Sequence, residues 1–264
     1  MSLATCLPLA GTLPTLRDGT TQSVFAFLCN LQLQQTQIQG RTARSPSVSH
    51  NVTKPMNKRI ITIMILTSIL SFFGCKKQPE KSKDEIEMDK ILDDWNNRKI
   101  YKVLTSEIIN KIPDDELEQA VFDNIYENIK NDFDNEFENL NKLSNGQQAF
   151  WSTWILEGEV NNGGFNQFYF NSSGQFFKMA EIGFKTIGAE KHAELTTRAN
   201  KIYAENKERL EEFDDGTMES FSESYKDNPL NKLDDEFYEL GDIESISDLR
   251  IKYIRENVKE FTTE

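Results

Sequence analysis

Between residues 84 and 262 apolar side chains return every three to four positions, the spacing that lines one face of an α-helix. Asp84–Asn96 sets Ile86, Ile91, Leu92 and Trp95 on or near one face. Pro113 stops whatever precedes it and leaves Asp114 and Asp115 in the first turn of the next helix, where carboxylates complement the helix dipole. That helix carries Leu117, Val121, Ile125 and Ile129 at steps of four. Ser144-Asn145 offers a cap for another, with Phe150, Trp151, Trp154 and Ile155 facing inward. Phe177, Ala180, Phe184 and Ile187 make the next, closed by Gly188. Leu195, Ala199 and Ile202 follow Ala189, and Asn228-Pro229 opens a helix with Leu230, Leu233, Phe237 and Tyr238. Ile246, Leu249, Tyr253, Ile254, Val258 and Phe261 define the last. No stretch alternates with period two, and no segment repeats. The pattern predicts a single compact all-α, multi-helix domain over 84–262, in which the acidic segment Glu211–Asp227 is a mobile loop or a short loose helix.

One stretch interrupts the pattern. Residues 157–175, EGEVNNGGFNQFYFNSSGQ, thread aromatics through Asn and Gln. Asn and Gly reach the left-handed conformation at the lowest cost, so one of Asn161, Asn162, Gly163 and Gly164 is expected to end the helix that holds Trp154. Phe165, Phe168 and Tyr169 then fall at i, i+3 and i+4 and restart a buried turn. Asn171, Ser172 and Ser173 are candidates to cap a helix beginning near Gly174. The remainder is a surplus of polar groups: Glu157, Glu159, Asn161, Asn162, Gln167 and Asn171 crowd around aromatics, where an unpaired polar group is costly to bury. With Gly163 and Gly164 they are the candidate binding residues, as scaffold or as ligand site.

The string LEGEVNNGGFNQFYFNSSG resembles the signature of the DNA mimic protein nineteen-like domain family. IPDDELEQAV upstream, IGAEKHAELTTRA downstream, LDDEFYEL and the terminal YIRENVKEF extend the resemblance to about residues 112–261. It implies an acidic α-helical fold, dimeric in the family's namesake, whose surface carboxylates imitate DNA phosphates and occupy a transcription regulator. A homodimer is therefore one expected assembly.

The N-terminal part follows other rules. Residues 1–55 are rich in Thr, Gln, Ser, Pro and Leu without sustained period, and are expected to be a mis-assigned start or a disordered extension. Met56 then opens MNKRIITIMILTSILSFFGCKK: Lys58 and Arg59 precede an apolar run from Ile60 to Leu70, the layout of a signal peptide over 56–74. The run is short of the roughly 20 residues that span a bilayer core. Phe72-Phe73-Gly74-Cys75 resembles a bacterial lipoprotein cleavage box, which makes Cys75 the lipidation candidate and 75–83 a polar tether. The expected location is the cell envelope, lipid-anchored to a membrane and facing the periplasm or cell surface. Cys6 and Cys29 lie before Met56, so residues 76–264 contain no cysteine, and neither a disulfide nor a Cys-type zinc site is available to the domain.

Charge narrows the partners. Residues 1–74 hold six of the chain's 30 basic residues and one of its 43 acidic ones, leaving 24 against 42, a net of −18. Such a field repels nucleic acid and favours a basic protein partner. An immunity-type protein that blocks a basic toxin is one form this would take.

Chemistry-bearing motifs are sparse. No GxSxG, P-loop, HExxH or dinucleotide fingerprint occurs, so no cofactor is expected. Asp114-Asp115, Asp214-Asp215 and Asp234-Asp235 lack calcium-loop spacing, so no metal is expected; they read as solvated faces and helix N-termini. His192, the only histidine after the leader, reads as a partly buried packing residue. The alternative to a binding module is a hydrolase, or a small-ligand site, built on the polar cluster from Glu157 to Asn171. Residues i and i+2 on a helix point about 200° apart, so Glu157 and Glu159 converge only if the helix has ended by Gly158.

Overall fold

The computed structural model describes residues 83–130, 132, 135–213, 215 and 217–262. The extension at 1–55, the leader at 56–74, Cys75, the tether up to residue 82, and Asp214 lie outside these residues. Among the described residues all regular structure is helical. Helix α1 (Lys83–Asn97) belongs to a unit separate from the one that begins at Arg98. Trp95 in α1 is buried, but Ile86 and Leu92 are 57% and 37% exposed, so the expected apolar face is not covered along its length. Six acids among its fifteen residues leave too narrow a stripe for that.

The domain from Arg98 onward contains α2 (Ser106–Lys111), α3 (Asp114–Ile129), α4 (Glu136–Leu140) and the 26-residue α5 (Asn145–Phe170). A 3₁₀ turn (Ser172–Phe176) leads into α6 (Phe177–Ile187) and α7 (Glu190–Glu211). Then come α8 (Met218–Glu223), α9 (Asn231–Gly241), α10 (Ile246–Glu256) and a closing 3₁₀ turn (Val258–Phe261). Local capping sets several of the starts. The Thr105, Thr217 and Ser245 hydroxyls accept from the N–H groups of Ile108, Ser220 and Asp248, and Ser144 with Gln147 forms a complete capping box. Pro113 and the acids behind it open α3 as expected. Pro229 stands two residues ahead of α9, in the turn that feeds it rather than inside its first turn. Among the described residues of the acidic segment Glu211–Asp227 lies the short helix α8.

Helix α5 is the axis. It packs most extensively on α6, which in turn packs on α7; α9 and α3 lie against other parts of α5. All four steps of the α3 stripe are buried, and so are Phe150, Trp151, Trp154 and Ile155. Phe122 stacks on Trp151 at 5.1 Å with rings 3° apart, and on Trp154 at 5.4 Å. Aromatic pairs of this kind contribute about 1 kcal/mol beyond the area they bury. Helix α10 closes the domain onto its N-terminal side. Arg255 donates to the carbonyls of Ile109 and Ile112 at 2.6 Å, satisfying the C-terminal end of α2, and pairs with Asp114.

Candidate functional site

The interruption in the sequence is a kink. Within α5, Gly163 (φ −158°, ψ 26°) and Gly164 (φ 73°, ψ 179°) leave helical geometry, so the helix that began at Asn145 stops and a new one starts at Phe165. Gly164 takes a conformation open to glycine almost alone, and a Cβ there would meet Asp234 Oδ2 at 2.2 Å. Breaking a helix in a buried place strands backbone donors and acceptors. Here three distant side chains meet them. The Asp234 carboxylate accepts from Phe165 N at 2.8 Å, Tyr225 Oη donates to Gly163 O at 2.7 Å, and Tyr238 Oη donates to Val160 O at 2.8 Å. Asp234 was expected on a solvated face or at a helix N-terminus; it does stand in the first turn of α9, but it is half-buried, because its carboxylate caps the second half of α5. Burial lifts its carboxyl to about 6, against the Phe165 N–H and with help from Asp235.

Around the kink the polar motif residues join one network. Glu159 is 3% exposed. Its Oε2 accepts from Gln167 Nε2 at 2.6 Å and Asn171 Nδ2 at 2.9 Å, and its Oε1 from Ser173 Oγ at 2.8 Å. Burial raises its pKa, opposed by the bonds from Gln167, Ser173 and Asn171. Asn162 Nδ2 donates to Gln167 Oε1 at 3.0 Å from the exposed rim, and Asn161 is exposed beside it. Asn171 and Ser173 therefore do not cap a helix with their side chains, as the sequence suggested; α6 starts at Phe177 without a side-chain cap, and both residues serve Glu159. On the far side Asn166 donates to Ser224 Oγ at 2.8 Å and accepts from Asn228 at 2.7 Å. Tyr225 is pushed up to about 12 by burial, against a bond from Asn166 and with Asp234, Glu159 and Tyr238 adding to it.

Glu157 does not join this network. The helix runs on past Gly158, and Glu157 leaves it in another direction to meet Arg250 Nη2 at 2.5 Å. Arg250 is 2% exposed and also holds Glu118 at 2.5 Å, with its guanidinium 5.1 Å from the Trp154 ring. Burial works against its charge, yet Glu118 and Glu157 outweigh it and raise its pKa. The two glutamates that a hydrolase would need thus answer to separate partners. Glu159 has a pKa displaced toward proton transfer, but both of its oxygens already accept hydrogen bonds from the protein.

His192 is wholly buried rather than partly so, between Phe184 at 5.7 Å and Phe237 at 5.2 Å. Burial holds the imidazole neutral in spite of Glu244, to whose carboxylate Nδ1–H donates at 2.7 Å. Glu244 also accepts from the backbone N–H groups of Lys191 and His192, so it caps α7 from 52 residues away. Among the described residues no group of three or more His, Cys, Asp or Glu is placed to hold a metal ion, and no helix is long and apolar enough to cross a membrane.

Fold and site together define an all-helical domain whose central helix is bent at a double glycine and sealed by side chains from its C-terminal third. Residues 141–257 match the family model described as DMP19-like protein, so the chain carries a DMP19-like domain. The match covers the kink, its capping residues Tyr225, Asp234 and Tyr238, and Arg250. No curated protein and no solved structure matches the chain.

Proposed function

We propose that this protein is a non-catalytic, acidic interaction module that binds a basic protein, tethered outside the cytoplasm through lipid on Cys75. One observation carries the reading: Glu157, Glu159, Gln167 and Asn171 of the central motif are spent on partners within the domain, whereas a dense run of carboxylates remains outside. From Glu205 to Asp227 the chain has nine acids against three bases. Glu205, Glu208, Glu211, Glu212, Asp215, Glu219, Glu223 and Asp227 are all exposed. Lys207 meets Glu211 at 3.5 Å and Lys226 meets Glu223 at 2.7 Å, which leaves most of the negative charge for a partner. Exposed pairs of this sort are worth little in themselves, so exchanging them for a partner's lysines and arginines costs little. Electrostatic steering makes such association fast and salt-sensitive. The leader at 56–74, directly ahead of Cys75, supports the compartment, and two acyl chains would hold the protein stably at a membrane.

The test is capture of basic envelope proteins by the full chain at low and at high salt. A parallel bait carries Glu211→Gln, Glu212→Gln, Asp215→Asn and Glu219→Gln. A basic protein held at low salt, released at high salt and lost by the variant is the expected result. Equal capture by both baits would overturn it. Cys75→Ala is expected to move the protein from the membrane fraction to the soluble one.

A further inference from the structure

Four carboxylates are buried among the described residues, and three are fully supplied. Glu118 has Arg250 and Ser247, Asp123 has Arg98 at 2.7 Å and Gln119, and Glu159 has its three donors. Glu136, the first residue of α4, differs. It is 5% exposed, yet among the described residues no cation lies within ion-pair reach, and its one hydrogen bond is a long one of 3.5 Å from Gln175 Nε2. Trp151 Nε1, also buried, makes no hydrogen bond, although the indole lies near enough to favour the charged carboxyl. Two neighbouring polar groups are thus shut away from water without satisfying each other. That is costly for an ionised acid and far less so for a neutral one.

The element that carries Glu136 is lightly held. Helix α4 has five residues, of which Glu136 and Leu140 are buried, and the exposed Phe137 adds a stacked contact with Phe176 at 6.0 Å. Its exit is tied down separately, by Gln148 Nε2 of α5 donating to Leu143 O at 2.9 Å. A segment fixed at its far end, with so few buried contacts, opens at a cost well below that of global unfolding. The charged groups nearby are engaged elsewhere. Glu138 on α4 is exposed, Asp132 is taken up by Asn135 and Asn139, and Lys130 at the end of α3 pairs with Glu127. The groups that face Glu136 from α5 and the 3₁₀ turn are Trp151 and Gln175, both uncharged. Burial therefore prevails and lifts the Glu136 carboxyl to about 7.

We propose that α4 is a pH-operated flap: when Glu136 gives its proton to solvent, the carboxylate turns out into water and lifts α4 from Trp151 and Phe176, and reprotonation seats it again. Opening lets water reach the Trp151 indole N–H and the Phe176 ring, and sets a second carboxylate beside Glu138 on the surface. The seated acid titrates at about 7, whereas one turned out into water titrates at about 4.3. The seated state is therefore fully favoured below the lower value and loses ground as pH rises between the two. Above about 7 the loss is complete.

The full chain tests this, with the Glu136 carboxyl carbon followed by nuclear magnetic resonance across neutral pH. Hydrogen exchange of the Asn141 and Leu143 amides, which donate to the Phe137 and Leu140 carbonyls, reports whether α4 is seated. The carboxyl is expected to titrate at about 7, and the protection factors of both amides to fall about tenfold or more between about pH 5 and about pH 8. Amides of α6 are expected to keep their protection over that range. Glu136→Gln keeps a neutral side chain of the same shape and is expected to hold α4 seated at either pH. Three results would each overturn the proposal: a Glu136 carboxyl that titrates in the ordinary range, protection in α4 that stays constant while the carboxyl titrates, or an equal loss in α6. An undiminished loss in a folded Glu136→Gln would do the same, and the wild-type readings stand without that variant.

Discussion

Glu159 shows what a buried acid does when it serves the fold. Its two oxygens collect Gln167, Asn171 and Ser173, residues 8 to 14 positions away, and so tie the two arms of the kink to the turn that follows. A glutamine in its place can still accept from the two amides through its oxygen and donate to the Ser173 hydroxyl. Glu159→Gln is therefore expected to unfold in urea within about 1 kcal/mol of wild type, whereas Glu159→Ala strands three donors and costs about 3 kcal/mol. Asp234 gives a pH signature. Its carboxyl titrates at about 6 in the folded protein and near 3.9 when unfolded, so the folded state holds the proton more tightly. Its contribution to stability thus falls as pH rises between those values and stays at its lowest above about 6. Asp234→Asn keeps an acceptor for Phe165 N and is expected to flatten this part of the pH dependence of unfolding. Asp234→Ala loses the cap and is expected to cost about 1–2 kcal/mol.

At the scale of elements the double glycine decides the shape of α5. Gly164→Ala would need a conformation that L-residues avoid and would push against the Asp234 carboxylate, so a loss of about 3 kcal/mol is expected in thermal or urea unfolding. Gly188 also has positive φ, 83°, but a Cβ there meets nothing within 4 Å. Gly188→Ala is expected to cost only about 1 kcal/mol, and the contrast between the two is the measurement. Much of this architecture is legible in the sequence, because helices are specified locally. The four-residue steps of α3, the Ser144 cap, the Gly188 stop and the break at NNGG all act over a few residues, and each stands where the pattern put it. What the spacing could not reveal is how the break is sealed. Asp234, Tyr225 and Tyr238 lie 62 to 78 residues from the groups they satisfy, and nothing near them in the chain marks them as caps. Asp234 in particular sits in an acidic pair at a helix start, a pattern that surface residues share. The error about Asn171 and Ser173 has the same origin: two cap-forming residues stood where a cap was wanted, and a buried glutamate claimed them.

Over the whole molecule the acids divide into two populations. One works inside, where Asp234, Glu244 and Glu260 each cap a helix start from far along the chain. The other crowds the surface between α7 and α9 and adds self-repulsion. Raising the salt from low ionic strength to about 0.5 M is expected to raise the melting temperature by about 2–4 °C, because screening relieves the second population and hardly touches the first. The domain's final turn belongs with the inner population. Glu260 Oε2 accepts from Gly146 N at 2.5 Å, and its carbonyl accepts from Ser144 Oγ at 2.5 Å, across 114 and 116 residues. The start of the longest helix is thus finished by residues more than a hundred positions later in the chain. At about 5–20 residues per second a ribosome delivers the start of this helix seconds before the piece that locks it, and a chain paused or cut ahead of Glu260 leaves the axial helix unsealed. Folding of the domain is therefore complete only once Glu260 has been delivered, and removing the turn Val258–Phe261 would unsettle the middle of the domain before its edge.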